Sequence, residues 1–458
     1  MGFSGRFRPG RRFALVALAV ATLAALAPTE TALRARAAPV DAAITLDPAQ
    51  KHQVMTGWEA TANLIDTITP EGTRNQTDEA RMAVTEAGIN RVRLEITAGA
   101  ENRSGKMRDF IAGRIGYDRY KPFRYRIEND NGDPFVIDPA GFDFAELDWH
   151  VENTVLPMRE LLAERGERLV INLCYVAFGN GRTIHMQPEE YAELMQATFR
   201  HLRDSYGIVP DLIEVMLEPD LDRGWTGRDM GLAMVATQHR LAADGFHPGF
   251  VVPSVTDMSH TLSFLDAILD VDGTAPLIRE VSYHRYKGAN PATLGAIAEA
   301  AARIGAQTAM LEWWFGKATY KVLLEDLAIG NNAAWQGRSI DSLVDRGDDG
   351  ALRLRPDVAL NARYFRNIPV GSRRIGAQSS DPQVTPLAFV TPKGGTVIVL
   401  TASRAGQAVL NDMPPGPYRI TGTFKDGTPL PGLAGLASAG GSLVLRLPGA
   451  GVFAVTPE

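Results

Sequence analysis

Between Val54 and Trp335, short apolar runs with strand character alternate with amphipathic helical segments, and this repetition restricts the fold more than any other feature. Two strands separated by a whole helix pair in parallel, because an antiparallel return needs only a tight turn. The runs are Val54–Trp58, Arg91–Ile96, Leu169–Val176, Leu212–Leu217, Phe250–Val255, Ile278–His284, Thr308–Glu312 and a weaker one at Asn332–Trp335. Helices are expected at 79–87, 150–164, 188–205, after Thr226, at 260–269, at 292–303 and at 320–327. Gly88 stands where a helix C-cap needs a left-handed residue, Pro188 in a first turn and Thr226 at an N-cap. Eight such repeats predict closure into a (β/α)8 TIM barrel over residues 51–370.

Segment 371–458 has another character. Leu387–Val390, Thr396–Thr401, Tyr418–Thr423 and Ser442–Leu447 are short β-rich runs set off by Gly and Pro clusters, the pattern of a β-sandwich side domain. Residues 39–50, with the strand-like Ala43–Leu46, are expected to complete its sheet. Ahead of them, Arg6, Arg8, Arg11 and Arg12 precede an apolar stretch from Phe13 to Ala27 and small residues near Ala35–Ala37, so residues 1–38 read as a signal peptide. The reading is of a secreted or periplasmic protein, free of the membrane after cleavage. An apolar share of 45 % suits a large soluble core, and a net charge of -6 argues against nucleic acid as a partner. The single cysteine, Cys174, lies inside an apolar run and reads as a buried thiol.

The chemistry gathers at strand ends. Glu218 follows the fourth barrel run and Glu312 closes the seventh, so both should open onto the C-terminal face, where barrel sites are built. Two carboxyls sharing one pocket suit glycosidic chemistry, and roughly 5 Å between them suits its retaining form. Trp313 and Trp314 beside Glu312, and Trp225 beyond Glu218, offer aromatic surface to sugar faces. His284 and Tyr286 share one side of the sixth strand, where a phenol can hydrogen-bond a carboxylate and keep it ionised. Arg91 and Arg93 share a face of the second strand; a lumen arginine is costly unless paired, and Arg93 is expected to hold a catalytic carboxylate. Trp335 is expected to floor a sugar subsite.

Four short motifs, Gly57-Trp58, Leu217-Glu218-Pro219, His284-Arg285-Tyr286 and Leu311-Glu312-Trp313, resemble those of clan A retaining glycoside hydrolases, glycoside hydrolase family 30 above all. Ala362–Phe365 with Gly371–Gly376 and Val384–Phe389 is similar to that family's passage into its side β-domain. The resemblance implies Glu218 as acid/base, Glu312 as nucleophile and Trp58 at the substrate. It departs at Leu217, where the clan usually has an Asn that contacts the sugar 2-hydroxyl. Asn172 or Asn63 is then expected to reach the sugar, or the substrate differs there.

Segment 97–146 is a polar, aromatic insertion. Arg103, Lys106, Arg108, Arg114, Arg119, Lys121, Arg124 and Arg126 interleave with Tyr117, Tyr120, Phe123 and Tyr125. Binding of an anionic sugar such as a uronate is one reading, and a solvated loop packing aromatics on the rim is the other. HExxH, a serine elbow and a phosphate loop are missing, so no metal and no cofactor is predicted. The partner is a carbohydrate. A catalytically idle carbohydrate-binding protein and a transglycosylase are the rival readings.

Overall fold

The structure is a computed structural model that describes residues 42–62, 70–179, 182–221, 224–314, 316–437 and 440–458. The expected signal peptide and Asn63 lie outside the described residues. Strand β1 (Ala42–Val54) runs well past Leu46, so Val54 ends it and does not open the barrel. The barrel strands are β2 (Gly57–Thr61), β3 (Arg91–Thr97), β4 (Val170–Val176), β5 (Leu212–Glu214), β6 (Gly249–Asp257), β7 (Ile278–Lys287), β8 (Gln307–Glu312) and β9 (Asn332–Ser339). They form a closed parallel barrel in chain order. Pairings such as Glu59 with Arg91, Arg93 with Asn172 and Asn172 with Leu212 run round it, and Gly57 with Ala334 closes it.

Helices α1 (Pro70–Met82), α2 (Lys106–Ile111), α3 (Tyr117–Arg124), α4 (Ala145–His150), α5 (Leu156–Glu164), α6 (Pro188–Tyr206), α7 (Gly227–Ala243), α8 (Thr261–Leu269), α9 (Pro291–Arg303), α10 (Tyr320–Ala328) and α11 (Pro356–Phe365) fill the connections. The first begins earlier than expected and passes through a π turn, Ala83–Ala87, before Gly88 stops it in the left-handed conformation. Thr226 and Asp229 form a reciprocal capping box on α7.

Strand periodicity sorts the barrel residues. In β3, Val92, Leu94 and Ile96 point outward into the core shared with the helices, so Arg91, Arg93 and Glu95 face the lumen. The lower lumen is closed by Val170, Leu212, Val251, Ala309, Leu311 and Ala334.

The insertion folds over α2 and α3 around its own cluster of Met107, Phe110, Tyr120 and Trp149. Its Arg103, Lys106, Arg108, Arg114, Arg124 and Arg126 are each salt-bridged to acids within or beside it. The charged stretch after Asp341 contains a hairpin of β10 (Val344–Arg346) and β11 (Leu352–Leu354).

The remaining strands are β12 (Arg373–Ser379), β13 (Val384–Val390), β14 (Thr396–Ala402), β15 (Gly406–Leu410), β16 (Gly416–Phe424), β17 (Pro429–Ala437), β18 (Leu443–Leu447) and β19 (Gly451–Pro457). With β1 they make a nine-stranded sheet in the order β17-β16-β19-β14-β13-β12-β1-β15-β18. Alternate side chains serve two cores. Ile398, Leu400, Phe453 and Val455 face the interior of the β domain, while Val397, Val399, Val452 and Ala454 join the barrel core. Tyr364 on α11 fixes this junction through a 2.6 Å hydrogen bond with Thr401.

Candidate active site

Beneath the mouth, the lumen is charged. Arg91 pairs bidentately with Glu280 at 2.7 and 2.8 Å and also with Glu59, with all three buried. Gly57 makes room for Arg91, since a Cβ at Gly57 would lie 2.8 Å from the arginine's own Cβ. Burial pushes the Glu59 carboxyl up to about 7, with Arg91 opposing and Glu214 adding to the rise. One step higher, Asn172 donates to Glu214 at 2.9 Å. Cys174 sits in the same layer, its thiol pushed up by burial and by Glu214.

At the top stand Glu218, His284 and Glu312, each offering one ligand atom within 4.8 Å of the others. Local irregularities aim them there. The β7–β8 ladder slips between the Tyr283–Met310 and His284–Glu312 pairs, which turns Glu312 toward His284. Glu218 takes a positive φ of 51°, its N–H donating to Ser254 O at 3.1 Å, while the N–H of Leu217 donates to Tyr175 O on the opposite flank. The chain that carries Glu218 is thus held between β4 and β6.

Glu312 is surrounded by donors. Arg93 Nη2 donates to one oxygen at 2.6 Å and the Tyr286 hydroxyl to the other at 2.8 Å. Burial opposes charge on Arg93, but Glu312 and Glu214 hold it ionised. Burial and the Glu312 charge hold the Tyr286 phenol protonated, so it remains a donor. His284 Nδ1 lies 3.0 Å from Glu218 Oε1. Burial pulls the imidazole pKa down, yet the Glu312 charge and the Glu218 hydrogen bond outweigh it and raise it above the ordinary value. Two carboxylates with distinct surroundings result, one flanked by permanent donors and one tied to a titratable ring. The trio could gather round a cation, but Arg93 and Tyr286 already occupy both oxygens of Glu312.

Arg93, His284, Tyr286, Glu218 and Glu312 therefore meet. Trp58, Trp335 and Asn172 do not reach the mouth. Trp58 is buried on the outer face, donating to Ile368 O at 2.8 Å and stacking on Phe365. Trp335 is 2 % exposed and donates to Asp326 at 2.9 Å, on the same outward side. In a strand of period two, each tryptophan points away from the lumen neighbours Glu59 and Gln336. Asn172 faces the lumen but is fully buried on Glu214, one layer too deep. Trp225 is likewise core, edge-on to Tyr175 and Tyr191. Trp313 is half-buried beneath Arg285, and Trp314 lies against the Arg93 guanidinium. Sequence reasoning passed over Glu95 and Glu214, whose signal was parity with Arg93 and with Leu212.

Leu217 packs on Cys174 and Val176 with Tyr125 of the insertion against them. Its surroundings are apolar.

No family model matches the chain, and no curated protein matches its sequence. Solved structures do resemble it. The catalytic domain of a GH30 xylanase C from Talaromyces cellulolyticus superposes with a TM-score of 0.68 at 13 % identity, covering 90 % of this chain and 99 % of that one. A GH30 endoxylanase from Clostridium papyrosolvens gives 0.64 at 14 % identity over 91 % and 99 %. The chain has the fold of these structures. An endo-β1,6-glucanase shares it too, with 0.59 at 14 % identity over 90 % and 94 %.

Proposed function

We propose that the protein is a retaining β-glycoside hydrolase, with Glu312 as nucleophile and Glu218 as acid/base. The observation that carries this reading is the approach of their carboxyl oxygens to within 4.8 Å across the barrel mouth. Retaining enzymes hold the two carboxyls roughly 5 Å apart, whereas inverting ones leave about 6.5–9.5 Å for a water. In the first step the ionised Glu312 attacks the anomeric carbon, the glycosidic C–O bond breaks, and the leaving oxygen takes the proton of Glu218. In the second, water attacks the glycosyl ester, Glu218 accepts its proton, and the Glu312 carboxylate leaves. Arg93 and Tyr286 favour an ionised Glu312, and His284 orients Glu218 for proton transfer.

The substrate class is a β-linked oligo- or polysaccharide. Xylanases and a glucanase among the structures of like fold support it. Among the described residues no helix is long and apolar enough to cross a membrane. The basic and apolar N-terminus supports export.

Hydrolysis of an aryl-glycoside panel and of plant, fungal and bacterial polysaccharides tests the reading. Glu312→Gln is expected to lower kcat by at least about a thousandfold. Glu218→Ala is expected to keep activity only on good leaving groups and to be rescued by azide. An inactive wild type that binds sugars as tightly as Glu312→Gln would identify an idle carbohydrate-binding protein instead. Transfer products at high acceptor concentration would mark a transglycosylase.

A further inference from the structure

Glu312 does not end its electrostatic neighbourhood at Arg93. The Arg93 Nη2 that donates to Glu312 at 2.6 Å also lies 3.5 Å from Glu95 Oε1. The other oxygen of Glu95 lies 3.5 Å from Nη2 of Arg124, which the insertion carries on α3. Arg124 is anchored in turn: its Nε donates to Glu146 Oε1 at 2.8 Å and its Nη1 to the Tyr125 hydroxyl at 2.8 Å. Tyr120 donates to the second oxygen of Glu146 at 2.5 Å. The charges alternate from Glu312 through Arg93, Glu95 and Arg124 to Glu146. Side-chain exposure along the row is 10 % or less, so water screens these charges weakly. Arg93 Nε is buried without a partner and Nη1 reaches only Leu311 O at 3.5 Å, so the short bond to Glu312 is its firmest hold, with Glu214 acting on it through charge alone.

We infer that Arg124 is a positioning residue for Glu312: by holding Glu95 from the far side, it leaves Arg93 to the Glu312 carboxylate. The insertion would then complete the reacting centre without touching substrate. The same segment sets Tyr125 against Leu217, so one dipeptide, Arg124-Tyr125, serves both halves of the site. This rests on Glu312 being the nucleophile. The other charged or titratable groups facing Glu312 are Glu218, His284 and Tyr286. Those facing Arg124 are Glu95, Glu146, Tyr120, Tyr125 and the buried His150.

The test follows Glu312 directly by carboxyl NMR on protein labelled with 13C-glutamate, its resonance assigned by its loss in Glu312→Gln. Without the Arg124 cation, Glu95 competes harder for Arg93, and Arg124→Met should raise the titration of Glu312 by about half a pH unit or more. Glu95→Gln should lower it, because Arg93 is released. In the Glu95→Gln background, Arg124→Met should move it by less than half as much, and Arg124→Lys should recover part of the wild-type value. The acid limb of kcat/KM should follow the same order. Equal shifts from Arg124→Met with and without Glu95, or none, would overturn the relay. If Arg124→Met does not fold, Glu95→Gln and Arg124→Lys decide it by the sign and size of their shifts. The NMR readout needs no turnover: an inactive wild type with the expected shifts sinks the glycosidase reading alone, and an active one with unmoved titrations sinks the relay alone.

Discussion

Replacing Glu59 by Gln probes the charged floor of the barrel without touching the mouth. Glu59 is fully buried against Arg91, and its carboxyl is raised from 4.5 to about 7 chiefly by burial. A carboxyl raised in the folded state binds its proton more tightly there than in the unfolded chain. Its stabilising effect is complete below the unfolded value and is lost as pH rises through the folded one, here between about 4.5 and 7. At about 1.4 kcal/mol per pH unit, that window corresponds to about 3 kcal/mol. Gln imitates the neutral acid at every pH. Its carbonyl can accept from Arg91 as the carboxylate does, while its N–H₂ takes the place of the oxygen that Asn172 Nδ2 approaches at 3.5 Å. Urea denaturation of both proteins at pH 4.5, 6 and 8 should give a stability difference that moves in the variant's favour by about 3 kcal/mol across the series. Taking the difference between the two proteins cancels the other titrating groups. A difference constant to within about 0.5 kcal/mol would refute the argument, because Glu59 would then ionise alike in both states.

Three further outcomes follow from the geometry. Tyr286→Phe removes one donor from Glu312 and should raise the acid limb of the kcat/KM profile by about one pH unit, a shift read by stopped assays between pH 3 and 7. Gly57→Ala places a Cβ against Arg91 at a backbone φ of 153°, and urea denaturation should show a loss of about 2 kcal/mol or more. Leu217→Asn puts an amide among Cys174, Val176 and Tyr125, with an expected cost of about 1–3 kcal/mol in the same measurement and no gain in kcat.

The alternation of apolar runs and helical segments made the barrel legible, because parallel pairing leaves each buried strand a nearly continuous apolar stretch. Strand parity also made Arg93, His284 and Tyr286 legible as neighbours of the glutamates. The same rule would have turned Trp58 outward with Ala60; the Gly57-Trp58 motif drew it to the site, and Trp335 was drawn there by its place near the eighth strand. Glu214 was hidden in the run from Leu212 to Leu217, where its charge is offset by Asn172 and Arg93 across the lumen. Arg124 could not be placed, since the path that returns it to Glu95 depends on how the insertion packs on Tyr120 and Trp149. The basic residues of that insertion suggested an anion; their salt bridges within the fold give most of them a structural employment.

The alternating faces of β14 and β19 bear on how the chain comes apart. Each strand is a party wall: stripping the β domain away would expose Val397, Val399 and their barrel-side partners together. Heat and denaturant should therefore melt both halves in a single step, and a truncation before Arg373 should yield an insoluble remnant, not a smaller working barrel.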